Sequence, residues 1–316
     1  MQFITLTDNK LLTPCVATIG FFDGVHRGHR FLIDQVCHCA AEKGLPSLLI
    51  TFRVHPRQVM QADFQPRLLS TPEEKFTLLA ETGADYCAML DFTPAMSELS
   101  AYEFMSGVLK QQLSVNTLII GYDHHFGHGR KEGFPDYVRY GQMLGIDVIQ
   151  AKGLTLGDVA VSSSVTRAFL SEGEVEMASR CLARPYALSG HVVSGFQEGR
   201  GMGFPTANIK VDNAQKLIPA RGAYAVRVTD ESASGMRYVG MLNIGLRPTM
   251  KEKVEKETIE VHLLGYNGDL YGHLLKVEFI ERLREEHKFR SKAELIRQLQ
   301  ADEARVESMR HKILED

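Results

Sequence analysis

The first half of the chain alternates short apolar runs with stretches of helical period. Cys15–Ile19, Leu48–Phe52, Tyr86–Leu90, Thr117–Ile120 and Ile146–Ile149 each read as a buried strand. Residues 29–43 read as a helix, and Gly44 supplies its stop. Thr71-Pro72-Glu73-Glu74 predicts another helix start. Thr71 is its cap, Pro72 sits in the first turn and Glu74 closes a capping box. Ser100-Ala101-Tyr102-Glu103 predicts a second capping box. Nearly continuous apolar strands alternating with helices predict an α/β architecture: a doubly wound, Rossmann-like parallel sheet covered on both faces. Ligands of such sheets sit at the carboxyl ends of the strands.

The pattern changes near residue 184. After Arg184-Pro185-Tyr186 the chain is rich in glycine and β-formers, with nine of its 27 glycines between Gly190 and Gly245. Strand candidates are Ala187–Val193, Ala223–Val228, Tyr238–Ile244, Thr258–Leu264 and Leu274–Ile280. Their spacing predicts a small antiparallel β-barrel. A terminal helix starts at Ser291 with a capping box to Glu294, and Leu295, Leu299, Val306, Met309 and Ile313 approximate one face. The expected domains are therefore 1–183 and 184–316. There is no internal repeat and no low-complexity tract.

Composition narrows the class. At roughly 150 residues per domain, 316 residues suit two domains. The chain has 36 Lys plus Arg against 39 Asp plus Glu, a net charge of −3. That balance argues against coating nucleic acid or an anionic membrane, and leaves room for small anionic ligands held locally. No apolar run reaches the about 18 residues of a membrane span, and the opening Met1–Thr5 lacks signal-peptide character. Five cysteines, an odd and sparse set, fit a reduced cytoplasmic chain better than a disulfide scaffold. Cys37-His38-Cys39 could be a metal pair, but adjacent helical residues point apart and no second pair follows.

The first strand runs into Gly20-Phe21-Phe22-Asp23-Gly24-Val25-His26-Arg27-Gly28-His29. A glycine turn entering a helix N-terminus favours an anion there, and His26 and His29 are spaced to face one phosphate chain. Gly28 lets the backbone come close. The alternative is a solvated turn whose histidines only cap the helix. His124, His125 and His128 form another cluster, read as a polar loop rather than a metal site.

This segment resembles the His-x-Gly-His nucleotidyltransferases, and within them the adenylyltransferase half of the bifunctional riboflavin kinase/FAD synthetases. Further elements follow in the family's order: Thr51-Phe52 and His55-Pro56, then Gly121-Tyr122-Asp123, Phe126-Gly127 and Arg130, then Ser162-Ser163-Ser164 and Arg167. The resemblance implies an ATP and phosphate site from Gly20, Phe22, Asp23, Gly24, Gly28, Asp123, Arg130 and Ser162–Ser164. It makes His26, His29 and Arg167 catalytic. Phe21 departs from the small or polar residue common in relatives, and the turn usually written Ser-Ser-Thr-x-x-Arg is here Ser162-Ser163-Ser164-Val165-Thr166-Arg167. Adenylyl transfer suits this equipment. The FMN phosphate is already largely ionised at neutral pH, with its second pKa about 6, so no general base is required. The enzyme must align two anions and stabilise charge on pyrophosphate. No Gly-x-Ser-x-Gly hydrolase elbow is present.

The second half is similar to the riboflavin kinases. Gly199-Arg200-Gly201-Met202-Gly203-Phe204-Pro205-Thr206-Ala207-Asn208 matches their glycine-rich loop and Pro-Thr-Ala-Asn segment, and is neither a Walker nor a protein-kinase loop. Asn243–Thr249, Glu260-Val261-His262, Asp269–Gly272, Arg284 and Lys288-Phe289 continue it. The resemblance implies Glu260 as the base for a neutral alcohol, Thr206 and Asn208 as Mg²⁺ ligands, and Gly199, Arg200, Gly203 and Pro205 at the nucleotide. It implies Asn243, Arg247, Arg284 and Phe289 at the flavin. ATP is co-substrate for both halves, and riboflavin, FMN, FAD, ADP and pyrophosphate are the remaining partners. Two other readings compete: a riboflavin kinase with a weak or altered nucleotidyltransferase domain, and a flavin-responsive regulatory protein without turnover.

Overall fold

A computed structural model describes residues 1–5, 13–61, 63, 65–122, 124–195, 198–233, 235–248 and 255–315. The chain divides into two compact units, 1–163 and 164–316.

The first unit is built on six parallel strands, β1 (Gln2–Thr5), β2 (Cys15–Ile19), β3 (Ser47–Phe52), β4 (Tyr86–Leu90), β5 (Val115–Ile120) and β6 (Asp147–Gln150). Their order is β1-β4-β3-β2-β5-β6. The chain steps outward from β2 through β3 to β4 on one side and from β5 to β6 on the other. The switch between β2 and β5 opens a crevice at their carboxyl ends. Every residue of β2 and of β3 is buried, as continuous apolar runs demand in a sheet covered twice.

Helix α1 (Arg27–Lys43) ends where Gly44 takes φ 63°. A short α2 (Pro56–Met60) follows β3. Helix α3 (Pro72–Ala80) carries the complete Thr71–Glu74 capping box, and α5 (Ala101–Glu103), after a single turn α4 (Pro94–Ser97), carries the Ser100–Glu103 box. From α5 the chain continues as a π-helical stretch, Phe104–Gln112, and α6 (Phe134–Leu144) precedes β6. The two-residue strands β7 (Thr155–Leu156) and β8 (Val159–Ala160) form a small hairpin. Edge strand β1 has no counterpart among the expected strands. It is half exposed and takes its register from β4.

The second unit closes six antiparallel strands into a barrel. They are β9 (Tyr186–Val193), β10 (Ala207–Val211), β11 (Gly222–Asp230), β12 (Met236–Pro248), β13 (Glu255–Leu263) and β14 (Leu274–Glu285), ordered β10-β13-β12-β11-β14-β9. Helices α7 (Ser163–Glu172) and α8 (Val175–Leu182) pack on it: Ala220 N–H donates to Leu170 O at 2.9 Å, and Arg282 Nη1 to Glu172 O at 3.0 Å. The compact division falls just after Ser163, the first residue of α7, earlier in the chain than the change of composition at residue 183. Helices α9 (Lys292–Ser308) and α10 (Arg310–Glu315) bury Val306 and Ile313 against the barrel with Ala223, Val239 and Met241. Ser291 caps α9 by accepting from the Glu294 N–H, but the Glu294 carboxylate accepts from Arg290 N–H instead of closing the box on Ser291. Among the described residues no helix is long and apolar enough to cross a membrane.

Candidate functional site

Two clusters of polar side chains emerge, one in each unit. In the first, the loop after β2 is strained. Phe22 has φ 56°, Gly24 φ 77° and Val25 φ 39°, the last in a region costly for a β-branched residue. Asp23 explains how the loop is held. Its buried carboxylate accepts from the Leu69 and Ser70 N–H groups at 3.0 and 3.1 Å, and from the Ser70 hydroxyl at 3.3 Å. Gly24 N–H in turn donates to Ser70 Oγ at 2.9 Å. The Asp23 side chain is thus a clamp between the loop and residues 69–70. The Phe22 ring lies in a core cluster with Val25, Ile33 and Leu49, so it is the backbone of Phe22 that faces the loop.

His26 is the N-cap of α1, its Nδ1 accepting from His29 N–H at 3.2 Å. That fixes the neutral proton on Nε2. The two imidazoles stack 3.6 Å apart, and Phe22 meets His29 edge-on at 5.2 Å. Capping and mutual orientation of the histidines are therefore one device. A Cβ on Gly28 would lie 2.9 Å from Val161 O and 3.1 Å from the His26 ring, so only glycine permits this approach. The approach brings the serine turn to the loop, where Ser163 Oγ donates to Asp23 O at 3.0 Å. Gly20 continues β2 by donating to Ile50 O. Ser162 precedes α7; Ser164 and Arg167 lie on α7 and fall in the second unit. Asp123 lies outside the described residues.

Beside this loop, at the carboxyl ends of β2 and β3, is a cavity of about 690 Å³. Phe52, Phe92 and Phe126 give it apolar walls, while Arg57, His124, His125, His128 and Arg130 give it polar ones. His125 Nδ1 and His128 Nδ1 both bond backbone carbonyls, Glu132 O and Ser97 O, at 3.1 Å. A carbonyl only accepts, so each Nδ1 carries the proton. A side chain that sequence reasoning passed over, Lys75 of α3, is 2% exposed. Its Nζ donates to Phe52 O at 2.8 Å and stands 4.0 Å over the Phe21 ring.

In the second unit the barrel register gathers the expected kinase residues into one row. Asn208 pairs with Glu260, Glu260 with Asn243, Asn243 with Ala223, and Ala223 with Arg284. Directly paired residues share a face, so five strands offer these positions side by side. A register shift between Ala223 and Tyr224 next to Arg284 marks a bulge of the kind that re-aims a side chain.

Thr206 completes the row, its hydroxyl donating to Glu260 Oε2 at 3.2 Å. The glycine loop folds onto itself: Phe204 N–H donates to Gly199 O at 3.0 Å, Gly203 has φ 87°, and a side chain on Gly199 would strike Phe204 O. His262, to which sequence reasoning assigned no role of its own, donates from Nδ1 to Pro205 O at 2.8 Å and meets Phe204 edge-on. A cavity of about 390 Å³ adjoins, lined by Arg200, Pro205, Thr206, Tyr266, Asp269 and Tyr271. The Arg284 guanidinium is bonded to buried Asp302 of α9 at 2.9 Å and lies 5.5 Å from the Phe289 ring, so its charge is engaged within the protein. Arg247 lies on β12, its side chain outside the described residues. The Thr206 hydroxyl and Asn208 amide, beside the Glu260 carboxylate, form an oxygen-donor set of the kind Mg²⁺ takes, and Gly195 leaves Asn208 the space a Cβ would fill.

Residues 8–165 match the family model of FAD synthetase, and residues 182–310 that of riboflavin kinase. The chain is 36% identical over 289 residues to the bifunctional riboflavin kinase/FMN adenylyltransferase of Escherichia coli strain K12, spanning 92% of this chain and 90% of that one. It is 35% identical over 292 residues to the protein of the same description from Bacillus subtilis strain 168, spanning 91% and 90%. A solved structure from Streptococcus pneumoniae, described as a macrolide-efflux protein, superposes with a TM-score of 0.85 at 28% identity, covering 96% of this chain and 98% of that one.

Proposed function

The chain belongs to the bifunctional riboflavin kinase/FMN adenylyltransferases, and from that membership we propose how its residues divide two successive reactions. Riboflavin and ATP give FMN and ADP; FMN and a second ATP give FAD and pyrophosphate. The observation that carries the assignment is the register row of the barrel, where Thr206, Asn208 and Glu260 meet without any sequence neighbourhood between β10 and β13.

In the kinase half, riboflavin offers a neutral primary hydroxyl. Glu260 accepts its proton as the oxygen attacks the γ-phosphorus of ATP and the bond to ADP breaks. Thr206 can donate its hydroxyl hydrogen to Glu260 while turning a lone pair to a cation, so the two roles are compatible. Thr206 and Asn208 would hold Mg²⁺, which would supply charge neutralisation for the phosphates. Asn243 and the Arg284–Phe289 pair lie along the same row, where the flavin would extend. Arg200 and Pro205 of the glycine-rich loop line the adjoining cavity, where the nucleotide would sit.

In the adenylylating half, one FMN phosphate oxygen attacks the α-phosphorus of ATP and pyrophosphate leaves. The start of α1, with His26, Gly28 and His29, supports phosphate binding by amide dipole and imidazole N–H. Ser162 and Ser163, in the same unit, add backbone and hydroxyl groups to that anion site. The cavity of about 690 Å³ is of ligand size and suits FMN, its phenylalanines taking the isoalloxazine and Arg57 or Arg130 the phosphate. The work belongs in the cytoplasm, where ATP and riboflavin are at hand. Incubating pure protein with riboflavin, ATP and Mg²⁺, then separating the flavins, tests the reading. FAD with pyrophosphate supports both halves. FMN alone leaves the kinase only, and unchanged riboflavin leaves a binding protein.

A further inference from the structure

We propose that Lys75 is a positioning residue for adenylyl transfer, its buried ammonium on the Phe21 ring locking the strained loop that presents His26 and His29. The inference rests on the reading of the first unit as the adenylylating half. Lys75 does not line the cavity beside the loop; it acts through the loop.

The loop needs such a lock. Phe22 and Val25 both hold positive φ within four residues, and backbone of that kind persists only when its surroundings over-determine it. Three tethers converge on it. The Asp23 carboxylate binds the amides of Leu69 and Ser70, and Ser163 Oγ binds Asp23 O. Lys75 is the third, joining α3, β3 and the loop: α3 carries it, the carbonyl of Phe52 at the end of β3 accepts from it at 2.8 Å, and Phe21, at the start of the loop after β2, offers it a ring face at 4.0 Å. A lysine at the fourth position of a capped helix is ordinarily a solvated charge. Here it is 2% exposed, so the fold keeps the charge inside against its desolvation.

Phe21 gives the charge its reason. Its aromatic face meets the ammonium, and the same ring rests edge-on against His55 at 4.7 Å. A cation over an aromatic face in a desolvated site is held more firmly than at the surface. The ionisable groups that face Lys75 are Asp23 on the loop, which favours its charge, and Cys87 on β4, whose thiol burial pushes up to about 12 and keeps neutral. Burial pulls Lys75 itself down to about 8, so its proton is lost near the alkaline edge of the working range. The neutral amine can still bond Phe52 O, but it no longer attracts the Phe21 ring or the Asp23 carboxylate.

The test uses the full chain as wild type, Lys75→Met, Lys75→Arg and Phe21→Leu. FAD formation from supplied FMN is measured from neutral to alkaline pH, beside FMN formation from riboflavin in the same samples. In the wild type, kcat for FAD should fall with a midpoint near about 8, and FMN formation should lack that limb. Lys75→Met should form FAD about 10- to 100-fold more slowly at neutral pH, without the limb, and keep its FMN formation. Lys75→Arg should keep more activity than Met and move the limb out of range, because guanidinium does not deprotonate. Phe21→Leu should move the midpoint to lower pH by roughly half a unit to one unit. Normal FAD formation by Lys75→Met, an alkaline limb that survives in it, or an unmoved midpoint in Phe21→Leu overturns the inference. If Lys75→Met does not fold, the Phe21→Leu midpoint decides. Wild-type protein that makes FMN but no FAD removes the reading of the first unit, and the inference with it.

Discussion

At the residue scale, Glu260 and Lys75 carry opposite tests. Glu260→Gln keeps size and much of the hydrogen bonding with Thr206 but removes the base. FMN formation from riboflavin should fall by about 10²- to 10⁴-fold, while FAD formation from supplied FMN continues. Two steady-state assays decide it, and near-normal riboflavin phosphorylation would leave Glu260 a strand carboxylate. Lys75 couples stability to pH in the other direction from activity. Its ordinary value is 10.5 and its value in the fold about 8, so between the two the unfolded chain binds more protons. Its contribution to stability is full above about 10.5 and is lost as pH falls through about 8. The difference corresponds to about 3 kcal/mol. Lys75→Met should therefore unfold at the same or a higher temperature than the wild type at neutral pH, even as its FAD formation drops. A variant that melts well below the wild type would show that the charge supports the fold as a whole. Neither residue's setting was legible in sequence alone. Glu260 alternates on a strand like any solvent-facing carboxylate, and Lys75 occupies a helix turn where lysine usually faces water.

At the scale of elements, local chemistry was readable and pairing was not. The Thr71–Glu74 and Ser100–Glu103 boxes depend on residues three apart, and both form as read. The continuous apolar strands place themselves, because only a doubly covered sheet can take them. Strand β10 escaped notice because its residues Ala207–Val211 mix buried and exposed positions, and its order comes from β9 and β13 on either side. The clamp made by Asp23 was not legible for a related reason: its partners at residues 69 and 70 are far away in sequence. Gly28 tests the element contact that sequence could only hint at. Gly28→Ala puts a methyl within 2.9 Å of the Val161 carbonyl, backbone that cannot rotate aside. The serine turn and α1 must separate, and FAD formation should fall by about 10- to 100-fold with FMN formation unchanged. Unchanged FAD formation in the alanine variant would mean that the turn can yield without cost to the site.

At the scale of the whole molecule, the compact division between residues 163 and 164 makes a prediction about separable parts. Helix α8 buries Val175, Ala178, Cys181 and Leu182, and α7 buries Thr166 and Leu170. A fragment of residues 164–316 should fold and make FMN but no FAD. A fragment of residues 184–316 leaves the apolar surface under α8 in water and should be less stable by about 3 kcal/mol or more. Denaturant midpoints of the two fragments compare them; equal midpoints would show that the helices add nothing to the barrel. The two family matches end at residue 165 and start at 182, so most of α7 and α8 lies between them. The row from Asn208 through Glu260, Asn243 and Ala223 to Arg284 also bears on which inherited changes of length the barrel can accept. Side chains alternate faces along a strand, so one codon gained or lost within β13 ahead of Glu260 would turn the carboxylate away from Thr206. Lineages carrying this barrel should therefore collect insertions and deletions between its strands, while the strands themselves keep their length.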